Sequence, residues 1–250
     1  MNLTVIIIVI ISFLLILSLT QYCYNTEKFE TNEVELVISR YNEDLEWLKN
    51  EPYNKYEVIV YNKGQNDDFY KAPNIKKIIK LDNVGREGHT YLHHIIHNYE
   101  DLANLTIFLP GSLQLSHKME YASSIFEKIP DSSKSILNCI DNNPVYSTEK
   151  DFKIDHYLGL DEKNKQLMKD GGIQPSNHRP FGNWFVHHFG DEAKDTVKCN
   201  TKFGVLSVSK EDVQKNTVEH YRKFFDELNS PNPEAGHYIE RSWAAIFGVN

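Results

Sequence analysis

Four short runs rich in β-branched residues set the strongest limit on how this chain folds: EVELVIS (Glu33 to Ser39), YEVIVYN (Tyr56 to Asn62), IKKIIKL (Ile75 to Leu81) and LTIFLP (Leu105 to Pro110). Each has strand length and is bounded by turn residues, and helical patterns sit among them. RYNEDLEWLKNE predicts a helix capped by Asn42 and carrying Leu45, Trp47 and Leu48. After the third run, the polar, glycine-containing turn NVGREGH opens into a second helix pattern. The order strand, helix, strand, strand, helix, strand, with short connections, predicts an α/β layer around a mostly parallel sheet. Further on, HKMEYASSIFEKIP reads as a helix ended by Pro130, FGVLSVS as a strand, and KEDVQKNTVEHYRKFFDELN and GHYIERSWAAIFG as one helix each. Residues 131–203 read as an irregular insertion, punctuated by Pro144, Gly171, Gly172, Pro175 and Pro180. So long an irregular stretch inside a compact domain is usually a lid or a binding segment.

The N-terminus differs in kind. Leu3 to Thr20 holds 18 residues without one charge. As a helix this run is about 27 Å long, close to the roughly 30 Å hydrocarbon core of a bilayer. No Lys or Arg precedes it, and TQYCYNTE makes a poor cleavage site. The expectation is therefore an uncleaved single-pass transmembrane anchor over residues 1–22, a membrane location, and a polar stalk over 23–33. Lys28 lies between Glu27 and Glu30, so charge does not fix the orientation. Residues 34–250 are enough for one domain with a sizeable core. A formal net charge of −8 argues against a nucleic-acid partner, because neutralising phosphates takes an excess of Lys and Arg.

Cys23, Cys139 and Cys199 lie far apart and form no C-x-x-C pair. Isolated thiols are the expectation, with pairing of Cys139 and Cys199 open in an oxidising compartment. His89, His93 and His97 recur every four residues and share a helix face, with His94 beside them. No H-E-x-x-H pattern accompanies them and no third ligand is evident, so the segment reads as a polar or interfacial face with Leu92, Ile95 and Ile96 turned inward.

NVGREGH combines an asparagine, a glycine that permits positive φ, an arginine and a helix start just after a strand. That is an anion-binding geometry, since main-chain N–H groups at a helix N-terminus point at the ligand. Neither a P-loop nor G-x-G-x-x-G is present. A structural turn with an Arg86–Glu87 surface pair is the plainer alternative. Glu240, between His237 and Arg241, has the chemistry of a base for an acceptor hydroxyl, or else is a surface carboxylate paired with Arg241. Trp184, in RPFGNWFVHHFG, is a platform for a sugar or base, or a packing residue.

ELVISRYNEDLEWL, VYNKG, NVGREGHTYLHHI, TIFLPGS and GHYIERSWAAIFG, in this order over about residues 34–248, resemble a domain-of-unknown-function family that is similar to GT-A glycosyltransferases. The string N-x-G-R-E-x-x-T-Y-L is its most specific part. The resemblance implies a Rossmann-like GT-A-type sheet with flanking helices. It implies a nucleotide-sugar donor met by Arg40, Asn42, Asn83, Gly85 and Arg86. It also implies that Glu240 is the catalytic base, and His237 beside it is read as a substrate-binding residue. At the strand end where such enzymes carry Asp-x-Asp for Mn²⁺ or Mg²⁺, this chain has Leu109-Pro110-Gly111-Ser112, so no cofactor is expected and no metal ligands are read, with Mn²⁺ or Mg²⁺ left open as the alternative. Asp67-Asp68 is a turn pair elsewhere. Arg40, Arg86 and helix N-termini would then meet the diphosphate. The reading is sugar transfer from a nucleotide-sugar donor to a glycan, lipid or protein acceptor. The alternative is a catalytically inactive, membrane-tethered binding module, and a zinc hydrolase using His89 and His93 is a distant third.

Overall fold

The computed structural model describes residues 34–129, 134–155 and 172–249, together with Ser12, Phe13 and Leu15. The anchor and stalk expected over residues 1–33 lie outside the described residues, apart from those three. Among the described residues no helix is long and apolar enough to cross a membrane.

Strand β1 (Val34–Arg40) is followed by two 3-10 turns, Glu46–Lys49 and Tyr53–Lys55, then by β2 (Glu57–Asn62) and β3 (Ile75–Lys80). Helix α1 (Arg86–His97) leads to β4 (Leu105–Pro110) and α2 (Ser116–Phe126). Among the described residues, three helices follow, α3 (Val145–Glu149), α4 (Phe181–Phe189) and α5 (Ala193–Thr196), before β5 (Leu206–Ser209). The chain closes with α6 (Lys210–Gln214), α7 (Val218–Phe225), the 3-10 turn Asp226–Leu228, α8 (Glu234–Arg241) and α9 (Trp243–Phe247).

The strands form one five-stranded sheet in the order β3-β2-β1-β4-β5. β1 runs parallel to β2 and β4, β2 parallel to β3, and β5 antiparallel to β4. The mostly parallel α/β sheet read from the sequence is therefore present. Because successive side chains of a strand point to opposite faces, the sheet divides the core in two. Leu36, Ile38, Val58, Val60, Ile107 and Leu109 face one layer, where Trp47, Tyr53, Ile125 and Phe126 pack. Val37, Ile59, Tyr61 and Phe108 face the other, against α1, α4, α7, α8 and α9. Covering on both faces explains why β1, β2 and β4 read as near-continuous apolar runs.

Several details depart from the sequence reading. Asn42 is exposed and caps nothing: the expected helix is a short 3-10 turn entered through Leu45 at φ 58°. Glu43 and Asp44 serve the local backbone instead, accepting from Tyr41 N–H (2.7 Å) and Glu46 N–H (3.0 Å). Arg40 is 1% exposed, and its guanidinium lies 4.3 Å from the Phe69 ring centroid. Its N–H groups donate to Glu43 O, Asn62 Oδ1, Asn66 O, Asn66 Oδ1 and Asp68 O. Arginine has five donors and these five contacts occupy them, so Arg40 locks the 62–68 turn and is not available to a diphosphate. The segment after Ser209 splits into α6 and α7 because Thr217 caps a fresh helix, its side chain accepting from His220 N–H. The 131–203 insertion is more regular than expected, and RPFGNWFVHHFG supplies helix α4.

Cys139 and Cys199 form a disulfide, which corrects the isolated-thiol expectation. The antiparallel bridge Cys139↔Thr201 and the bond Ile140 N–H to Asn200 O bring the segments together, and spacing in sequence carries no trace of that. The His89–His93 face is covered by Phe225, whose ring centroid lies 4.5 Å from that of His89. His94, 1% exposed, bonds Tyr61 Oη through Nδ1 (3.1 Å) and faces Glu35 Oε1 through Nε2 (3.2 Å).

Two stability tests follow from these contacts. A Cβ on Gly64 would sit 1.8 Å from Tyr41 O, a main-chain atom that cannot swing away. Gly64→Ala is expected to cost about 3 kcal/mol or more. Gly236→Ala, in α8 with no neighbour nearer than 3.7 Å, is expected to be neutral or mildly stabilising. Urea denaturation of both variants checks the contrast. Reducing the disulfide, which spans a sequence separation of 60, should lower stability by about 4 kcal/mol on the loop-entropy account. Melting with and without reductant measures that loss.

Candidate functional site

In a parallel sheet whose chain winds first one way and then the other from a central strand, ligands bind outside the carboxyl ends of the strands at the switch point. Here that point lies between β1 and β4. Helix α1 begins on this edge, and Ser39 Oγ lies 2.9 Å from Thr90 Oγ1, which ties its first turns to the end of β1. Because β5 is antiparallel, its beginning falls on the same edge.

The turn that starts α1 is held from beneath. Lys63 is 5% exposed, and its ammonium donates to Val84 O (2.6 Å) and to Arg86 O. Gly85 has φ 61°, and a Cβ there would meet Leu228 Cβ and O at 2.6 Å, so both conformation and space require glycine. No side chain caps the helix at Gly85. Arg86 follows at φ 53°.

Arg86 Nη1 lies 2.9 Å from His237 Nε2. A guanidinium only donates, so Nε2 accepts, and neutral His237 carries its proton on Nδ1. Burial first, and then the nearby Arg86 and Arg241 cations, push the His237 pKa down to about 3. One turn along α8, Glu240 accepts Phe203 N–H at Oε1 (2.7 Å), while its main-chain O accepts from Thr201 Oγ1 (2.6 Å). Although 24% of its side-chain surface still reaches solvent, desolvation and then Glu87 raise its pKa, against the pull of Arg241 and Arg86.

The plain surface pairing of Glu240 with Arg241 is not the main contact. Arg241 Nη1 is 4.0 Å from Glu240 Oε2, whereas Arg241 Nε bonds Glu149 Oε2 at 3.1 Å. Three non-glycine residues among those described have positive φ: Leu45, Arg86 and Phe203. Two of the three touch Glu240's surroundings. Each such backbone costs on the order of 1–3 kcal/mol, and strain of this kind collects at functional sites.

The space enclosed by Arg86, Glu87, Gly204, His237, Glu240 and Trp243 measures about 10 Å³. That is about one water molecule. The cluster therefore offers a carboxylate and a fixed cation to something arriving over the edge of the sheet, not a closed ligand chamber.

Of the residues singled out from sequence, Gly85, Arg86, His237 and Glu240 come together. Asn42 and Asn83 are exposed on the same edge, after β1 and β3, and do not line this cavity. Trp184 is 0% exposed in the core, its Nε1–H bonded to Glu227 Oε2 at 2.8 Å, so it is not a stacking platform. The sequence assigns no site role to Lys63, Phe203 or Gly204, and marks Glu87 only as a surface partner of Arg86. Lys63 lies inside VYNKG and Glu87 inside NVGREGH, so both were within the notable strings; nothing local marks Phe203.

At the end of β4 the nearest carboxylate is Glu43, already bonded to Tyr41 N–H, and Pro110, Gly111 and Ser112 offer no second one. These residues do not fit a hard divalent cation held by strand-end carboxylates. Among the described residues no group of three or more His, Cys, Asp or Glu converges as metal ligands would.

The depressed His237 pKa makes the fold sensitive to acid. The folded state keeps the ring neutral down to about pH 3, whereas the unfolded chain takes up a proton near pH 6.5. The contribution is thus whole above pH 6.5 and is lost as pH falls from there toward 3, by at most about 1.4 kcal/mol per pH unit. His237→Gln should flatten that slope in chemical denaturation series. Ring ¹⁵N shifts should report the Nδ1–H tautomer below pH 5.

No curated protein matches the chain. A family model described as a protein of unknown function, DUF3431, matches residues 36–250. The match covers the whole described sheet from Leu36 on and every residue of the Arg86–His237–Glu240 cluster, and the chain belongs to the DUF3431 family.

Proposed function

We propose that this domain transfers a sugar from a nucleotide-sugar donor to an acceptor hydroxyl at the carboxyl edge of its sheet. The observation that carries the reading is the junction of two unlike groups there. Arg86, at the uncapped N-terminus of α1, is a site for the diphosphate, and Glu240, with its raised pKa, is a site for a proton. Glu240 Oε2 takes the acceptor's proton as its oxygen bonds the anomeric carbon. The bond from that carbon to the diphosphate oxygen breaks, and the charge leaves toward Arg86 and the helix N-terminus. His237 acts through Arg86: its neutral Nε2 accepts from the guanidinium and so aims it. The Pro110-Gly111-Ser112 strand end favours a second reading, in which the fold binds the nucleotide without turnover.

Calorimetry on the full chain with nucleoside diphosphates and nucleotide sugars, with and without chelator, tests the proposal. Arg86→Ala should weaken binding by about 1.5–3 kcal/mol, the range for a charge-assisted hydrogen bond. Glu240→Gln should leave binding intact and abolish turnover. The rate should rise with pH through a value above that of an ordinary carboxylate, since the base must be ionised. Binding without turnover by the unaltered chain selects the second reading. No binding of any nucleotide sinks both. Binding that disappears with chelator and returns with Mn²⁺ refutes metal-free neutralisation.

A further inference from the structure

A second cavity, of about 220 Å³, opens between the segment around Gln174–Asn177 and the turn from Asp226 to Ala235. It adjoins the first one across helix α8: Pro233 and Ala235 line the larger space, Gly236 and His237 the smaller. The bond from Gly85 N–H to Ser230 O (2.8 Å) ties its wall to the turn that presents Arg86.

The lining has a definite chemistry. Asp226 and Glu227 supply carboxylates, Asn177 and Asn229 amides, and among the described residues no lysine or arginine lines the space. Glu227 is fixed from behind, with Oε2 accepting from Trp184 Nε1 (2.8 Å) and Oε1 2.6 Å from His188 Nε2. Each oxygen keeps acceptor capacity for the open side. Ser230 also lines the cavity, and its Oγ is buried with no partner among the described residues. Pro175, Pro233 and Ala235 add an apolar patch.

The described lining, two carboxylates and no cation, repels phosphate and nucleotide and does not suit the donor. The volume far exceeds that of a single metal ion and falls below the roughly 300 Å³ at which drug-sized pockets begin. What matches is a small neutral ring with hydroxyls on its rim and C–H groups on one face.

We propose that this cavity binds one monosaccharide unit, with Asp226, Asn177 and Glu227 accepting from or donating to its hydroxyls and the prolines meeting its C–H face. As the acceptor's sugar site, the inference deepens the transfer reading and rests on it for that role alone.

The chain holds three tryptophans, which makes the test specific. Trp184 touches Glu227, Trp243 lines the cavity beside Glu240, and Trp47 Nε1–H bonds Gly111 O (3.0 Å) away from both. With indole ¹⁵N labelling of the full chain, glucose, galactose and N-acetylglucosamine are titrated without nucleotide. At least one should move the Trp184 signal saturably and leave Trp47 in place. Asp226→Ala and Asn177→Ala, both at exposed positions, should each weaken the response about tenfold, the loss of one good hydrogen bond. Arg86→Ala should not change it.

No movement of Trp184 with any of these sugars overturns the inference. So does movement with calcium chloride or ammonium chloride that the sugars fail to reproduce. A nucleoside diphosphate that moves Trp243 while no sugar moves Trp184 removes this site and leaves the transfer reading standing. Sugar binding without nucleotide binding does the reverse.

Discussion

Lys63 carries the architecture of the sheet's carboxyl edge. A buried ammonium is costly unless its donors are used, and here they grip two carbonyls of one turn, Val84 O and Arg86 O. That grip sets where α1 begins, hence where Arg86 points and where Glu87 meets Gly204 on the approach to β5. It also joins the end of β2 to the residues after β3, so the sheet and the site share one anchor. Arg40 does the equivalent work one strand away, spending its donors on the turn after β2. The two cations nearest the middle of the sheet edge are thus structural. Arg86, on the turn that Lys63 grips, instead reaches His237 on α8.

The site itself is assembled against local preference. Arg86 and Phe203 both take left-handed backbone where glycine would be easier. Gly85 and Gly204, which do supply glycine, flank them. The arrangement persists because partners on other elements over-determine it. Lys63 holds the first turn, and Glu240 holds the second through Phe203 N–H. The same carboxylate is desolvated and faces Glu87, which raises its pKa, while Arg241, Arg86 and the Phe203 N–H pull it the other way.

Much of the sheet was legible in the sequence. β-branched runs bounded by turns gave β1 to β4 to within a residue or two: burial on both faces keeps β1, β2 and β4 nearly continuous in apolar residues, while the exposed β3 is marked by its isoleucines and bounding turns. The cluster of Gly85, Arg86, His237 and Glu240 was legible through the turn chemistry and the resemblance. What escaped was long-range. Arg40 and Trp184 look like ligand-binding residues in isolation, and only the fold reveals that Asn62, Asn66, Asp68 and Glu227 claim them. The disulfide was open for the same reason, since two cysteines sixty positions apart carry no geometry. Helix breaks at Thr217 and Ser242 were missed because apolar periodicity runs on across them.

The Cys139–Cys199 bond also bears on the order in which the molecule comes together. β5 must return to β4 across everything from residue 111 to residue 205, a connection that holds α2 to α5 and makes the antiparallel pairing strongly non-local. Pairings of that kind are slow, because chain entropy is lost before any contact is gained. Once the cysteines are joined, the path from Pro110 to Leu206 needs only the arms 111–139 and 199–205. The same link delivers Thr201 and Phe203 to α8. Oxidation therefore acts as an assembly step for the surroundings of Glu240: a chain kept reduced can form its parallel sheet early and still bring Phe203 to Glu240 late.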